Sequence, residues 1–216
     1  MTTRNILCFG DSNTWGYDPE TAGRFARNER WTGIMQESLE DSYYVIEEGL
    51  NGRTTVWDDP AEGHMGEKNG LKVLPVLLST HTPLDLVVIM LGTNDLKKRF
   101  SASPFEASLG IERLIDLIRR HNYAPVEKAP EVLIVSPPPI TFLCDAFAEH
   151  FRVSAPEESK KFASFYGDAA ERNGCRFLDA ATFADVSKHD GIHLTREGQP
   201  IFAEKVKDTI LKISLI

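Results

Sequence analysis

Cysteine is scarce in this chain: three residues in 216, at positions 8, 144 and 175. An odd number at such wide spacing argues against a disulfide framework or a zinc site, and Cys8 and Cys175, set in apolar runs, read as buried thiols. Long apolar runs are also missing, so no segment is long enough to span a bilayer. The short run after the lone Arg4 does not reach the length of a signal h-region, which places the protein in the cytoplasm by expectation. Positive charge is in deficit, with 24 basic against 32 acidic residues and a net charge of −8. That balance removes the electrostatic basis for binding nucleic acid or an anionic membrane. There is no glycine-rich phosphate loop, internal repeat, low-complexity tract or linker. Residues 1–216 are therefore expected to form one domain, with a core that 42% hydrophobic residues can supply.

What remains is an alternation of strand and helix signals. Asn5–Phe9, Tyr43–Glu47, Leu84–Leu91, Val132–Val135 and Arg176–Leu178 read as strands. Leu84–Leu91 is apolar almost throughout, as a strand covered on both faces must be. Trp31, Ile34, Met35 and Leu39 fall on one helical face, as do Ile111, Leu114, Ile115 and Ile118, then Phe162, Phe165, Tyr166 and Ala169, and finally Phe202, Val206 and Ile210. Ser103-Pro104 and Thr195 are helix starts. Leu71–Leu78 predicts a short helix that Pro75 kinks or ends. Strands separated by helices give an α/β protein, a three-layer α/β/α sandwich around a five-stranded parallel sheet. Three stretches, Tyr17–Arg30, Arg53–Gly70 and Pro137–Pro156, are long and irregular, which points to function or an interface.

In an open parallel sheet, ligands sit beyond the carboxyl ends of the strands. Ser12 follows the first strand, Gly52 the second and Asn94 the third, while Asp190 and His193 precede the last helix. A serine hydroxyl needs a base within hydrogen-bond reach to become a nucleophile. His193 can serve, with Asp190 three residues upstream to fix its tautomer. The backbone N–H of Ser12, that of Gly52 and the Asn94 amide could together hold an oxyanion. Ser12, Asp190 and His193 are thus the candidate catalytic residues, and no cofactor or metal is called for.

The blocks Gly10-Asp11-Ser12, Gly52, Gly92-Thr93-Asn94-Asp95 and Asp190-Gly191-Ile192-His193 resemble those of the SGNH (GDSL-type) hydrolases, in order and over essentially the whole chain. Arg30-Trp31-Thr32-Gly33, Arg53-Thr54-Thr55 and Val135-Ser136-Pro137-Pro138-Pro139 are most similar to the mycobacterial-type arylesterase/acyltransferase branch. The resemblance implies a flavodoxin-like fold, hydrolysis of small acyl esters of aryl or alkyl alcohols, acyl transfer to alcohols or peroxide, and a homo-octamer. Position 13 is Asn where the family usually has Leu, and Asn51-Gly52 stands where the branch has Ser-Ala. Asn13 is expected to make the wall beside Ser12 more polar.

Trp15, Tyr17, Trp57 and Phe142 are candidates for lining the substrate pocket, with Leu50, Ile140 and Phe147 behind them. Asp11 is a candidate for orienting the nucleophile turn, and Asp95 for capping its own turn. His64, His81, His121, His150 and His189 have no comparable context. Carbohydrate acetyl esters and short lysophospholipids are alternative substrates for the same triad. Two further readings stand against an esterase. One is a metal-dependent hydrolase using His189, His193, Asp190 and Asp95. The other is a flavodoxin-like binding module in which Ser12, Asn13 and Thr14 cradle a phosphate.

Overall fold

The computed structural model describes residues 3–63, 66–125 and 128–213. Among the described residues, seven strands and eight helices follow one another. The strands are β1 (Arg4–Gly10), β2 (Tyr17–Asp18), β3 (Gly23–Arg24), β4 (Tyr43–Gly49), β5 (Leu86–Met90), β6 (Glu131–Ser136) and β7 (Arg176–Asp179). The helices are α1 (Ser12–Trp15), α2 (Trp31–Leu39), α3 (Gly70–His81), α4 (Pro104–Arg120), α5 (Asp145–Ala148), α6 (Ala155–Ser159), α7 (Phe162–Arg172) and α8 (Gly198–Ile210).

Five strands form the expected parallel sheet, in the order β4-β1-β5-β6-β7. The period-2 alternation of each strand sends side chains to two separate cores. Leu7 and Phe9 of β1, with Val87 and Ile89 of β5, pack against α3, α4 and α7. Ile6 and Cys8, with Leu86, Val88 and Met90, pack against Trp31 and Met35 of α2 and Phe202 and Val206 of α8. Helices on both faces explain why the central strands are apolar without a break. Cys8 is accordingly buried, whereas Cys175, next to the edge strand β7, is only half-buried.

The helix starts follow the capping chemistry of the sequence. The Ser103 hydroxyl accepts the Glu106 N–H while the Glu106 carboxylate accepts the Ser103 N–H, a closed capping box at the head of α4. Thr195 Oγ1 accepts the Gly198 N–H at the head of α8. Pro75 neither ends nor shortens α3, which runs on to His81. Leu74 and Leu78, one turn apart and fully buried, pin both halves of that helix to the core and outweigh the one hydrogen bond the proline removes. Two of the stretches read as irregular hold short regular pieces. A β2–β3 ribbon lies within Tyr17–Arg30, and α5 lies within Pro137–Pro156.

Beyond β1 the chain turns to β4 on one side and β5 on the other. The carboxyl ends of these three neighbours form the crevice in which the loops carrying Ser12, Gly52 and Asn94 meet.

Candidate active site

Strand β1 ends at Gly10 and the one-turn helix α1 begins at Ser12. Between them, Asp11 turns its carboxylate back to accept the Asn13 N–H at 3.0 Å. This Asx-type cap holds the sharp turn on which Ser12 sits. Asp11 therefore orients the nucleophile segment, as expected.

The histidine segment is organised by Asp190. One carboxylate oxygen accepts the backbone N–H groups of Ile192 (2.9 Å) and His193 (3.0 Å). The other lies 2.6 Å from His193 Nδ1. Gly191, at φ +74°, makes the turn possible: a Cβ there would fall 2.3 Å from the Phe142 carbonyl oxygen. With Nδ1–H donated to the carboxylate, Nε2 is the acceptor, and the Ser12 hydroxyl lies 2.8 Å from it. A nucleophile, a base and the group that orients the base are thus joined in one buried relay. Burial pushes the Asp190 carboxyl up, but the His193 ring and the two backbone donors outweigh it and hold the group below the usual carboxylate range.

Asn13 does not line the cavity. Its side-chain oxygen accepts the Leu194 N–H at 2.9 Å and its amide donates to the Ile192 carbonyl at 3.4 Å. The expectation of a polar pocket wall is therefore corrected: Asn13 faces away from substrate and binds the backbone on both sides of His193. Its own carbonyl accepts the Trp31 indole N–H, which ties the same turn to α2.

Ser12, Gly52 and Asn94, the three residues expected to supply oxyanion donors, line one cavity. Gly52 sits at φ +80° and lines the same cavity as Ser12 and His193. The Asn94 side-chain amide donates to the Arg53 carbonyl at 3.1 Å and to the Asp11 carboxylate at 3.5 Å, and Asn94 lines the same cavity.

Charges buried beneath this edge hold its loops together. Arg53 Nη1 donates to the carbonyls of Gly10 (3.0 Å) and Glu48, tying the ends of β1 and β4, and its guanidinium stacks on the Phe9 ring. Burial lowers its pKa to about 10, opposed by the charges of Glu48 and Asp11. Asp95 does not simply cap its own turn. It reaches across to the Thr55 N–H (3.1 Å) and the Thr55 hydroxyl, binding the Gly52 loop to the Asn94 turn. Burial raises Asp11 to about 6 and Asp95 to about 7, against their hydrogen-bond donors.

The cavity over these groups holds about 350 Å³. Tyr17 and Phe147 flank the base, with ring centroids 4.3 Å and 5.8 Å from the His193 ring. Of the aromatics expected as walls, these two line the cavity. Trp15, Trp57, Ile140, Phe142 and Leu50 do not. Trp15 packs beneath the Arg24 guanidinium and Trp57 stacks on Phe100. Ile140 is buried in the core, and Phe142 lies against Gly191.

Sequence reasoning missed Glu62, Thr93, Lys97, His150, Phe151 and Ile192, all of which line the cavity. The spacing of Lys97 from Asn94 across one tight turn carried a signal. Glu62, in mid-loop, carried none.

The two non-esterase readings lose their geometry. His189 is exposed and 4.0 Å from Glu20, while Asp95 is fully buried against Thr55, so these two do not converge on His193 and Asp190. Among the described residues no group of His, Cys, Asp or Glu is arranged to hold a metal ion. Ser12 and Asn13 are engaged by the histidine segment and Thr14 is buried, which leaves no phosphate cradle. His64 lies outside the described residues.

The model of the GDSL-like Lipase/Acylhydrolase family matches residues 8–201. A carbohydrate acetylesterase family member from Sinorhizobium meliloti superposes with a TM-score of 0.90 at 42% identity, covering 96% of this chain and 97% of that one. The native aryl esterase of M. smegmatis superposes with a TM-score of 0.90 at 37% identity, covering 99% and 100%. An acetylxylan esterase from Xylanibacter ruminicola is 25% identical over 95% of this chain, which spans 42% of that relative's length.

Two outcomes test the site. Asn13→Ala leaves the Leu194 N–H without its partner and frees the histidine segment, and we expect kcat to fall about tenfold or more with little change in KM. A wild-type kcat in that variant would contradict the positioning role. Asp95 has an ordinary pKa of 3.8 and a folded value of about 7. The folded state holds this proton more tightly, so its contribution to stability is complete at low pH and is lost as pH rises through the folded value. Asp95→Asn carries no such proton. Urea unfolding should show the variant gaining on the wild type between about pH 4 and about pH 8. A pH-independent difference would count against the buried carboxyl.

Proposed function

The chain belongs to the GDSL-like lipase/acylhydrolase family, and we infer that it is a carboxylic ester hydrolase acting on small acyl esters through an acyl-enzyme. The observation that carries this reading is the continuous Asp190–His193–Ser12 relay, 2.6 Å and 2.8 Å between its members, opening into a cavity that Gly52 and Asn94 also line.

The chemistry follows from the geometry. Ser12 Oγ attacks the ester carbon while its proton passes to His193 Nε2. Asp190 fixes the tautomer that accepts this proton and stabilises the imidazolium that results. The carbonyl oxygen becomes an oxyanion facing the N–H groups of Ser12 and Gly52 and the Asn94 amide. Collapse expels the alcohol, which takes the proton from His193 and leaves the acyl group on Ser12. Water, activated by the same imidazole, then releases the acid.

A cavity of about 350 Å³ is at the low end of small-ligand sites, roughly 300–1,000 Å³. That size favours acetyl-type groups and disfavours the long chain of a lysophospholipid. Tyr17 and Phe147 shield His193 from bulk water, which supports transfer of the acyl group to an alcohol or to peroxide as a second outcome of the same intermediate. Assembly into a homo-oligomer belongs to the same proposal. Its support is Val153, 95% exposed in the stretch that also supplies Phe147 and Phe151 to the cavity. Fold and triad do not choose the alcohol.

Ser12→Ala should abolish hydrolysis of p-nitrophenyl acetate, with kcat down by at least about a thousandfold and an unchanged unfolding transition. Most of the activity surviving in that variant would remove the reading.

A further inference from the structure

An ion pair forms part of the wall of the cavity that holds the nucleophile. Lys97 Nζ and the Glu62 carboxylate are 2.8 Å apart, with side chains 7% and 21% exposed. Behind Glu62 stands Arg99, which also binds the fully buried Asp59 carboxylate at 2.6 Å. Glu62 is therefore held from behind and does not swing out to solvent. Burial pushes its carboxyl up, and Lys97 and Arg99 outweigh this and keep it ionised. The pair is also close to the chemistry: a Cβ placed on Gly52 would lie 2.6 Å from Glu62 Oε2 and 3.6 Å from Lys97 Nζ.

A buried ion pair is a poor lining for a pocket that takes a hydrocarbon. Desolvating it is costly, and an apolar replacement is often as stable or more so. A substrate with a plain alkyl or aryl alcohol would cover these charges and return nothing. An anionic substrate would meet Glu62, and a cationic one Lys97. The group that suits both is a neutral one that donates and accepts at once, which is a hydroxyl. Its O–H can donate to the carboxylate while its oxygen accepts from the ammonium.

We propose that Glu62 and Lys97 are the substrate-reading pair of this cavity, selecting esters that carry free hydroxyl groups close to the ester bond, that is, partly acylated polyols such as a monoacetylated sugar. This inference rests on the esterase reading above. It adds two specificity-determining residues to it and chooses the substrate class. The pair also staples the Arg53–Gly70 loop to the Lys97–Arg99 segment, so the test must separate recognition from support.

The test compares kcat/KM for a monoacetylated methyl xyloside with that for cyclohexyl acetate, an ester of similar ring size without hydroxyls. Wild-type protein should favour the sugar ester by about tenfold or more. In Glu62→Gln and in Lys97→Met that ratio should collapse toward one, chiefly through KM for the sugar ester. A loop-support role would lower both substrates together and leave the ratio where it was. Equal turnover of the two esters by the wild type, or a ratio that survives both substitutions, overturns the proposal. Should the variants fail to fold, product inhibition of the unmodified protein decides: methyl xyloside should inhibit at lower concentration than cyclohexanol, and the reverse order overturns it. Turnover of neither ester by the wild type would sink the esterase reading itself, and the pair's role with it.

Discussion

A single contact, Ser12 Oγ to His193 Nε2 at 2.8 Å, joins residues 181 positions apart. Each side of it is fixed locally. Asp11 caps the turn that carries Ser12, and Asp190 accepts two backbone N–H groups of the segment that carries His193. Those local devices would be useless without something to bring the two segments together. The parallel order of β4, β1 and β5 sets the first at the crevice, and Asn13 clamps the second to it through the backbone of Ile192 and Leu194. The catalytic geometry is thus carried by a brace beside the triad as much as by the triad itself.

Beneath the contact lies a group of buried charges that an ordinary core would avoid. Arg53 satisfies two strand-end carbonyls, and its charge draws down Asp11, which burial would otherwise neutralise further. Asp95 binds the Gly52 loop to the Asn94 turn through Thr55. The result is a crevice whose loops are tied to one another through buried groups, at a cost in stability that grows as the buried carboxyls ionise. In the proposed reaction, oxyanion donors are effective to the extent that they need not reorganise, and these ties between the loops favour that.

The identity of the five sheet strands was legible because both faces of the central strands are covered, which makes them apolar without a break. The triad was legible for a related reason: topology alone carries the strand ends to one edge, so residues at those ends meet. Side-chain direction was not legible. Asn13 is next to the nucleophile in the chain, yet a one-turn helix points it away from substrate. Trp15 and Trp57 looked like pocket walls because loop aromatics often are, but each found another partner, Arg24 and Phe100. Pro75 was read from its local cost, and the packing of Leu74 and Leu78 decided otherwise. Glu62 became a wall of the cavity only through Lys97 and Arg99, contacts that no spacing within the Arg53–Gly70 loop encodes.

The most direct measurement is the site and stoichiometry of labelling by a serine-directed phosphonate ester, read by mass spectrometry of the intact chain and its peptides. The relay predicts one adduct per chain, on the peptide containing Ser12, with activity lost in step and labelling abolished in His193→Ala. An adduct on another residue, or full activity in fully labelled protein, would contradict the account at its root.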